Sequence, residues 1–459
     1  MEMFDLAVIG AGVVGCAMAR RFALNGARVL VLEKGADILS GASKANSAIL
    51  HTGFDAPPGS LELDCVQRGH AEYLALREEM NLPLLETGAI VVAWTEEEEA
   101  RLGELERQAH LNGVGDARIL PAAEIRRIES NLSDRARAGL HVPREHVIDP
   151  WSPFLGYATQ VRTRGGEIVF DAEVTGGGFD GEAWTLEAPP RRFKARSVAN
   201  CAGLFGDLVD RRLLGSSSFE IRPRKGQFAV FDKAAARLLT SIILPVPSER
   251  TKGVVLCRTI FGNVLVGPTA EEQPDRLRAT VTEPELRALV ARAGEILPAL
   301  RGMPVTAAYA GLRPATEKKE YRIHQDPARR WVTVGGIRST GMTAALGIAR
   351  HVEALGILGG ASGAARPGAP APRLPNLAEH RPRDWQLPGY GEIVCHCEMV
   401  TQREIEAALA GPLPPGDFGG LKRRTRCGMG RCQGFNCLGR LAELTAGRLP
   451  HPMPARALP

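Results

Sequence analysis

Residues 4–35, "FDLAVIGAGVVGCAMARRFALNGARVLVLEKG", decide the fold class. An apolar strand pattern leads to Gly10, Gly12 and Gly15 in the spacing GxGxxG, a helical pattern follows, and a second apolar strand ends at Glu33. This order of elements is the βαβ fingerprint of a dinucleotide site. The glycines permit a tight turn, the approach of backbone to a pyrophosphate, and close packing of helix on strand. The sequence therefore predicts a Rossmann-like nucleotide-binding unit.

The fingerprint also predicts how its ligand is held. A pyrophosphate is expected at the helix N-terminus, where free N–H groups and the helix dipole favour an anion. Glu33 is placed to bind a ribose diol, and its charge would repel a 2′-phosphate. NAD and FAD are not distinguished at this point. Residues 41–62, "GASKANSAILHTGFDAPPGSLE", are rich in small side chains, which allow this loop to lie along an extended cofactor.

The length, composition and charge of the chain restrict the classes of protein to which it can belong. A length of 459 residues predicts two or three domains, and 44% hydrophobic with 24% charged residues is typical of a soluble globular protein. The net charge of +5 is dilute, and no basic stretch is interleaved with aromatics, so we expect no nucleic-acid partner. The apolar start has no basic leader, and no run approaches the roughly 18 apolar residues of a spanning helix. We expect a cytoplasmic protein without a transmembrane segment.

Strand and helix patterns alternate at both ends of the first 360 residues, while the middle carries strand-like runs such as "GAIVVAW", "GVVLC" and "NVLVG". This arrangement predicts an α/β (α+β) framework with an inserted mixed sheet. The segment from Gly359 to Trp385 is rich in Gly, Ala and Pro and has no periodicity, which is typical of a linker. We therefore divide the chain into a body (1–360), a linker (361–388) and a small helical module (389–459).

Five of the nine cysteines follow residue 394: Cys395, Cys397, Cys427, Cys432 and Cys437. Such clustering is unlike a secreted disulfide framework and indicates metal or redox chemistry. A 2Fe-2S cluster and a tetrahedral zinc ion both take four thiolates, so one cysteine is in excess. Two ligand sets end in the spacing Cx4C, with either Cys427 and Cys432 or Cys432 and Cys437 joining the CxC pair. The four scattered cysteines are expected to be buried, inert thiols.

Further stretches carry a resemblance: "NSAILHTGFDAPPGSL" (46–61), "RKGQF" (224–228), "FGNVLVGPTAEE" (261–272), "YAGLRPAT" (309–316) and "VGGIRSTGMTAALGIA" (334–349). With the fingerprint, they make the body resemble the D-amino-acid-oxidase-like FAD-dependent oxidoreductases. Most similar is the branch of anaerobic glycerol-3-phosphate dehydrogenase and L-2-hydroxyglutarate dehydrogenase. The resemblance implies an FAD domain from about residues 1–75, 145–215 and 310–360. It also implies a substrate domain from about 76–144 and 216–309, whose mixed sheet covers the flavin.

The resemblance implies FAD as the cofactor. Residues 341–343 would lie near the flavin ring at a helix N-terminus, where the dipole stabilises the anionic reduced flavin. The expected cofactor contacts are Gly10, Gly12, Gly15, Glu33, Lys34, Ser43, Asn46, Ser47, Val174, Gly203, Gly341, Met342 and Thr343.

Flavin chemistry of this class removes a hydride from a C–H next to an OH or NH group, while a base accepts the heteroatom proton. His51 lies in the flavin-contacting loop and is the candidate base or flavin neighbour; a structural histidine is the alternative. Arg313 matches a family arginine near the substrate, and its fork suits a carboxylate or phosphate. Arg338 and Lys225 are further catalytic candidates, with an internal salt bridge as the alternative. Arg258 replaces an apolar residue or proline of relatives and points to a more anionic or differently placed substrate.

Residues 389–459 resemble the bacterioferredoxin-associated-ferredoxin-like 2Fe-2S domain. That family has CxC, then a little over thirty residues, then Cx4C; 34 residues separate Cys397 from Cys432, but only 29 separate it from Cys427. The resemblance therefore favours Cys395, Cys397, Cys432 and Cys437, with Cys427 as the alternative ligand. Pairing with a flavin domain favours iron-sulfur over zinc. "VTQREIEAAL" predicts a helix with Thr401 as N-cap and Glu404 completing a capping box.

Basic residues crowd the cysteines: Lys422, Arg423, Arg424, Arg426 and Arg431. They can offset the negative charge of a thiolate-ligated cluster, dock an acidic partner, or form a solvated loop. The sequence leaves these alternatives open.

Together, these patterns predict an FAD-dependent dehydrogenase that oxidises a small anionic hydroxy compound, either a glycerol 3-phosphate-like polyol phosphate or a 2-hydroxy acid. Electrons would pass through the 2Fe-2S cluster to an acceptor protein, a second flavoprotein subunit or a quinone-linked partner, which allows a peripheral position at the inner membrane. One alternative is an amino or imino acid dehydrogenase subunit with a hydroxyproline-like substrate. Another is a non-catalytic electron-transfer subunit of a larger complex.

Overall fold

The computed structural model describes residues 2–247, 253–357 and 370–453. Its strands are β1 (Met3–Ile9), β2 (Val29–Leu32), β3 (Ile49–Leu50), β4 (Leu84–Leu85), β5 (Ala89–Ala93), β6 (Arg118–Pro121), β7 (Ala138–Val142), β8 (His146–Ile148), β9 (Glu167–Val169), β10 (Gly176–Phe179), β11 (Trp184–Ala188), β12 (Arg191–Asn200), β13 (Ile221–Phe231), β14 (Ile242–Pro245), β15 (Val255–Arg258), β16 (Val264–Gly267), β17 (Glu271–Glu272), β18 (Val305–Thr316), β19 (Arg322–Asp326), β20 (Trp331–Gly335), β21 (Ile393–Cys395) and β22 (Val400–Thr401). Its α-helices are α1 (Val13–Leu24), α2 (Leu61–Leu76), α3 (Glu96–Leu111), α4 (Ala122–Ile128), α5 (Ser152–Thr163), α6 (Gly206–Leu214), α7 (Glu283–Ile296), α8 (Gly341–Ala354), α9 (Gln402–Ala410), α10 (Phe418–Thr425) and α11 (Leu438–Thr445).

The first sheet contains the predicted fingerprint. Strand β1 lies between β12 and β2, β9 follows β2, β20 joins β12, and all these neighbours are parallel. Gly10 ends β1 with φ of +100°, a conformation that side chains other than glycine rarely adopt. A Cβ atom on Gly15 would lie 1.9 Å from the Gly10 carbonyl oxygen, so α1 packs closely on the strand only with glycine there. The βαβ unit forms as the sequence predicts.

The second sheet is the predicted mixed insertion. Its nine strands run β17-β13-β16-β15-β14-β5-β7-β6, with β18 also paired to β13. Only β14 and β5 are parallel neighbours among the described pairs, and β13 and β18 pair along nearly their whole lengths. The three runs quoted above as strand-like correspond to β5, β15 and β16. The predicted fold class is therefore confirmed.

The second half of the predicted linker packs against the body. The N–H of Leu374 donates to the Met80 carbonyl at 2.9 Å, and Leu377 and Ala378 are buried in the main core. Residues 358–369, which hold the start of the predicted linker, lie outside the described part of the chain. The described part of this segment therefore lies along the body rather than extending into solvent.

The C-terminal module is built from β21, β22 and helices α9 to α11 around its own small core. Helix α9 begins after Thr401, whose side chain accepts from the Glu404 N–H, while the Glu404 side chain accepts from the Thr401 N–H. The predicted helix and capping box are thus confirmed. Within the described ranges, no helix combines the length and apolar character needed to cross a bilayer.

Candidate active site and cluster site

A cavity of about 1010 Å³ lies where the two sheets meet. Its walls come from the glycine loop after β1, the end of β2, the segment 40–51, one face of β13, residues 310–315 of β18, and the loop that leads into α8. Parallel strands bring the β1 and β2 ends to one edge of their sheet, the usual place for a ligand in such sheets. The volume and elongated lining suit a dinucleotide with room for a small substrate.

The nucleotide end of the cavity is organised by Glu33. One carboxylate oxygen accepts from the Ala11 N–H at 2.7 Å and the other from the Gly35 N–H at 2.8 Å. Burial raises the pKa of Glu33, and these two N–H bonds act in the opposite direction. Ser43 accepts from the Val13 N–H at 3.1 Å, which fixes the small-residue loop against the start of α1. The chain thus provides the cradle that a dinucleotide requires.

Most of the predicted cofactor contacts line this cavity: Gly10, Gly12, Glu33, Lys34, Ser43, Asn46, Ser47, Val174, Gly203, Gly341 and Met342. Two do not. Gly15 packs against the Gly10 carbonyl, and Thr343 is buried, donating to the Ile49 carbonyl while accepting from the His51 N–H. These two residues shape the walls instead of facing the ligand.

His51 lines the cavity, and its ring is hydrogen-bonded to a carboxylate. Its Nδ1 lies 2.9 Å from Oε2 of Glu145, which is fully buried. The other oxygen of Glu145 accepts from the N–H of Thr52 at 2.6 Å and from its hydroxyl at 2.8 Å. Sequence reasoning missed Glu145 because it lies 94 residues from His51, in a stretch without a recognisable motif.

Arg313 on β18 faces the cavity beside Arg224 on β13, its cross-strand neighbour. Both terminal nitrogens of Arg313 lie 3.3 Å from the Thr269 carbonyl, and among the described residues it has no carboxylate partner. Burial lowers the pKa of Arg313 to about 10, and the nearby Arg224 charge adds to this effect. Arg224 itself is paired with Glu272 at 2.9 Å. An uncompensated guanidinium in a cavity wall is a site for an anion.

Arg338 also lines the cavity, in the loop before α8, with φ of +54°. Its guanidinium donates to Glu62 of α2 at 2.6 Å. The hydroxyl of Thr340 donates to the other oxygen of the same carboxylate at 2.9 Å. Arg338 therefore forms the internal salt bridge that was the alternative to a catalytic role. It also lines the cavity.

The position of Lys225 argues against its predicted catalytic role. Side chains alternate along a strand, and the neighbours Arg224 and Gly226 face the cavity while Lys225 does not. Its ammonium instead pairs with Glu271 at 3.0 Å.

The same alternation excludes Arg258 from the cavity wall, because Val255 of β15 lines the cavity and Arg258 does not. Arg258 therefore does not line the described cavity, and its influence on the choice of substrate stays a prediction.

The basic residues near the cysteines largely face inward. Arg424 forms a two-pronged ion pair with Asp37, at 2.6 and 3.0 Å, and both side chains are buried. Arg426 pairs with Glu398, and its guanidinium lies 4.0 Å from the ring centre of Phe261. These arginines join the module to the body, so they are not available to dock an acidic partner.

The five clustered cysteines lie together in the module. The sulfurs of Cys397 and Cys432 are hydrogen-bonded, as are those of Cys395 and Cys437. The fifth thiol, Cys427, is fully buried and bonds the Thr425 hydroxyl. The Asn436 N–H lowers the pKa of Cys432, which favours the thiolate that a metal ligand must be. Cys427 also interacts electrostatically with Cys395 and Cys437, so the choice of ligand set stays a prediction.

Four thiols in two pairs are compatible with a 2Fe-2S cluster. A zinc site needs four ligands around one point, whereas a 2Fe-2S cluster distributes four thiolates over two irons. Gly430 lies between Cys427 and Cys432 in the sequence. A Cβ atom on Gly430 would lie 2.3 Å from the Cβ atom of Cys397, so this loop approaches Cys397 closely.

Comparison with known proteins agrees with both sites. The family model described as FAD dependent oxidoreductase (DAO) matches residues 5–355. The chain belongs to this family. A second model, described as BFD-like 2Fe-2S binding domain, matches residues 393–446. The predicted family, the oxidoreductase class and both cofactors, FAD and the 2Fe-2S cluster, are thereby confirmed.

The relatives share a reaction type. A glycerol 3-phosphate dehydrogenase of Caloramator mitchellensis is 31% identical over 97% of this chain and 95% of its own length. An L-2-hydroxyglutarate dehydrogenase of Indibacter alkaliphilus is 28% identical over 58% of this chain and 68% of its own. Among solved structures, the L-alpha-glycerophosphate oxidase of Mycoplasma pneumoniae with FAD bound superimposes with a TM-score of 0.74 at 27% identity, covering 82% of this chain and all of that one.

Proposed function

We propose that this flavoprotein oxidises a small anionic hydroxy compound, with glycerol 3-phosphate as the leading substrate and a 2-hydroxy acid as the second. The observation that carries the proposal is Arg313, a guanidinium in the cavity wall without a carboxylate partner among the described residues. A phosphate or carboxylate would supply the missing charge through a two-pronged contact. The similarity to the glycerol 3-phosphate dehydrogenase over nearly the whole length of both chains supports the phosphate.

In the mechanism we propose, bound FAD supplies a hydride acceptor. Arg313 binds the substrate anion and so fixes the orientation of the carbon that loses the hydride. His51 accepts the proton of the neighbouring hydroxyl, because its ring lines the same cavity. The N–H groups at the start of α8, at Gly341 and Met342, favour negative charge in this part of the cavity.

We propose Cys395, Cys397, Cys432 and Cys437 as the ligands that hold the 2Fe-2S cluster. The cluster carries single electrons and thus connects two-electron substrate oxidation to an acceptor. An acceptor protein, either a second flavoprotein subunit or a quinone-linked partner, is proposed to receive them, with the chain located in the cytoplasm or peripherally at the inner membrane through that partner. The two sheets form the FAD and substrate domains of this proposal.

An anaerobic substrate screen tests the proposed substrate class. The purified protein would be mixed with glycerol 3-phosphate, 2-hydroxy acids, glycine and proline, and the flavin absorbance near 450 nm recorded. We expect rapid bleaching by glycerol 3-phosphate and little by uncharged glycerol, which lacks the anion for Arg313. Bleaching only by the amino or imino acids would replace this proposal with an amine dehydrogenase. No bleaching by any compound would favour an electron-transfer subunit.

A further inference from the structure

We infer that Glu145 is a positioning residue that fixes the tautomer of His51, so that the unprotonated Nε2 of the ring is the one available to the substrate hydroxyl. This inference rests on the proposed function, in which His51 is the base. Its observation is the pairing of Nδ1 of His51 with Oε2 of Glu145 at 2.9 Å, inside the cavity wall.

The hydrogen bonds that Thr52 donates determine whether His51 or Glu145 is the donor in the bond between them. The N–H and hydroxyl of Thr52 both point to Oε1 of Glu145, so this oxygen already accepts two hydrogen bonds. An ionised carboxylate can only accept, and therefore Nδ1 of His51 must carry the hydrogen in its bond to Oε2. A neutral imidazole with hydrogen on Nδ1 has its lone pair on Nε2, as a base requires.

Burial makes this preference strong. Glu145 is fully buried, whereas the side chain of His51 is 23% exposed. Water therefore does not compete for the carboxylate, and His51 is one of the residues that line the cavity. The same carboxylate would stabilise the imidazolium that forms when Nε2 takes a proton, as in a serine-protease triad.

Other titratable groups surround the pair. His70 on α2, His146 on β8 and Arg144 in the preceding turn all act electrostatically on this region. Burial lowers the pKa of both His70 and His146, which disfavours a competing positive charge on either ring. The permanent charge of Arg144 is paired with Asp116 at 2.8 Å. Glu145 is thus the charged group in direct contact with the His51 ring among the described residues.

The first test uses the unaltered holoenzyme. Nitrogen-15 NMR of labelled histidine, assigned by comparison with His51→Gln, reports which ring nitrogen carries hydrogen. We expect the Nδ1–H tautomer for His51. A dominant Nε2–H tautomer would overturn the inference, and this measurement needs no substitution of Glu145.

The second test is Glu145→Gln. The N–H and hydroxyl of Thr52 should still donate to the oxygen of the new amide side chain. The amide NH₂ group then faces His51, so Nδ1 must accept a hydrogen bond. The ring hydrogen therefore moves to Nε2. We expect the rate constant of anaerobic flavin reduction to fall by about 10²- to 10⁴-fold, as for the comparable change in a serine protease, with substrate affinity nearly unchanged. Glu145→Asp, which still only accepts, should recover part of the rate.

Glu129→Gln is the matched control, since Glu129 is also buried and accepts from two backbone N–H groups, those of Thr240 and Ser241. It should keep the full rate. A full rate in Glu145→Gln, with loss of flavin reduction in His51→Gln, would overturn the inference and leave the proposed function intact. Full rates in both variants would instead remove His51 as the base and with it the role of Glu145.

Discussion

At the residue scale, the two cavity arginines on neighbouring strands have different partners. Arg224 is neutralised by Glu272, whereas Arg313 is bonded to a carbonyl oxygen and lies at the wall of the cavity. A charge-assisted hydrogen bond contributes about 1.5–3 kcal/mol when its partner is present. The contribution of Arg313 to substrate binding should therefore be far larger than that of Arg224.

Replacing Arg313 with Gln tests this difference. We expect the substrate dissociation constant, measured from the concentration dependence of flavin reduction, to rise about 10- to 100-fold, which corresponds to losing one charge-assisted contact. Arg313→Lys should lie between, because it keeps the charge but loses the fork. Arg224→Gln is the control and should change affinity little. An unchanged dissociation constant in Arg313→Gln would place the anion elsewhere.

Residues of the site can be predicted from the sequence where a continuous motif specifies them. The glycines and Glu33 follow from a continuous motif, because each one has a role fixed by the βαβ geometry. Lys225 does not line the cavity, because a one-residue step along a strand reverses the face and no motif indicates which face of β13 meets the cavity. Its catalytic role stays a prediction. Glu145 was missed because its role depends on a contact across the fold.

At the scale of elements, the cluster loop between α10 and α11 brings three cysteines to the CxC turn after β21. The bonded sulfur pairs join Cys397 to Cys432 and Cys395 to Cys437. Cys427 follows directly after the C-cap of α10 and belongs to the small module core, as do Cys395 and Cys437. Spacing alone left two ligand sets open, and the choice between them stays a prediction.

Serine replacements separate the two sets. We expect Cys432→Ser to abolish the visible absorbance and the iron content of the 2Fe-2S cluster, because both sets require this thiolate. Cys427→Ser should keep both signals, while Cys437→Ser should lose them. Iron retained in Cys437→Ser and lost in Cys427→Ser would identify the alternative set. The flavin content of each variant serves as the control for folding of the body.

At the scale of the whole molecule, the module is docked on the body. The buried pair of Asp37 and Arg424 joins the loop after β2 to α10, and the Gly416 N–H also donates to Asp37 at 3.3 Å. Arg431 also pairs with Asp232, which directly follows β13, at 3.0 Å. The Gly/Ala/Pro-rich composition predicted a linker, and composition cannot report contacts between residues 387 positions apart.

The Asp37 pair can be tested by substitution. Asp37→Asn leaves Arg424 buried with an unpaired charge, which costs about 3–5 kcal/mol in comparable cases. We expect the cluster absorbance to be lost at lower urea concentration and cluster reduction by the flavin to slow, while substrate still bleaches the flavin. Arg440→Gln breaks a solvent-exposed pair and is the control. Unchanged urea stability of the Asp37 variant would mean that other contacts hold the module.

The central claim is that one chain oxidises an anionic hydroxy compound and delivers the electrons to its own cluster. Its most direct test is anaerobic mixing of the FAD- and iron-loaded protein with glycerol 3-phosphate, followed by absorbance at 450 nm and low-temperature EPR. The account predicts that the flavin bleaches and that the EPR signal of a reduced 2Fe-2S cluster then appears. A flavin and a cluster that both remain oxidised would contradict it.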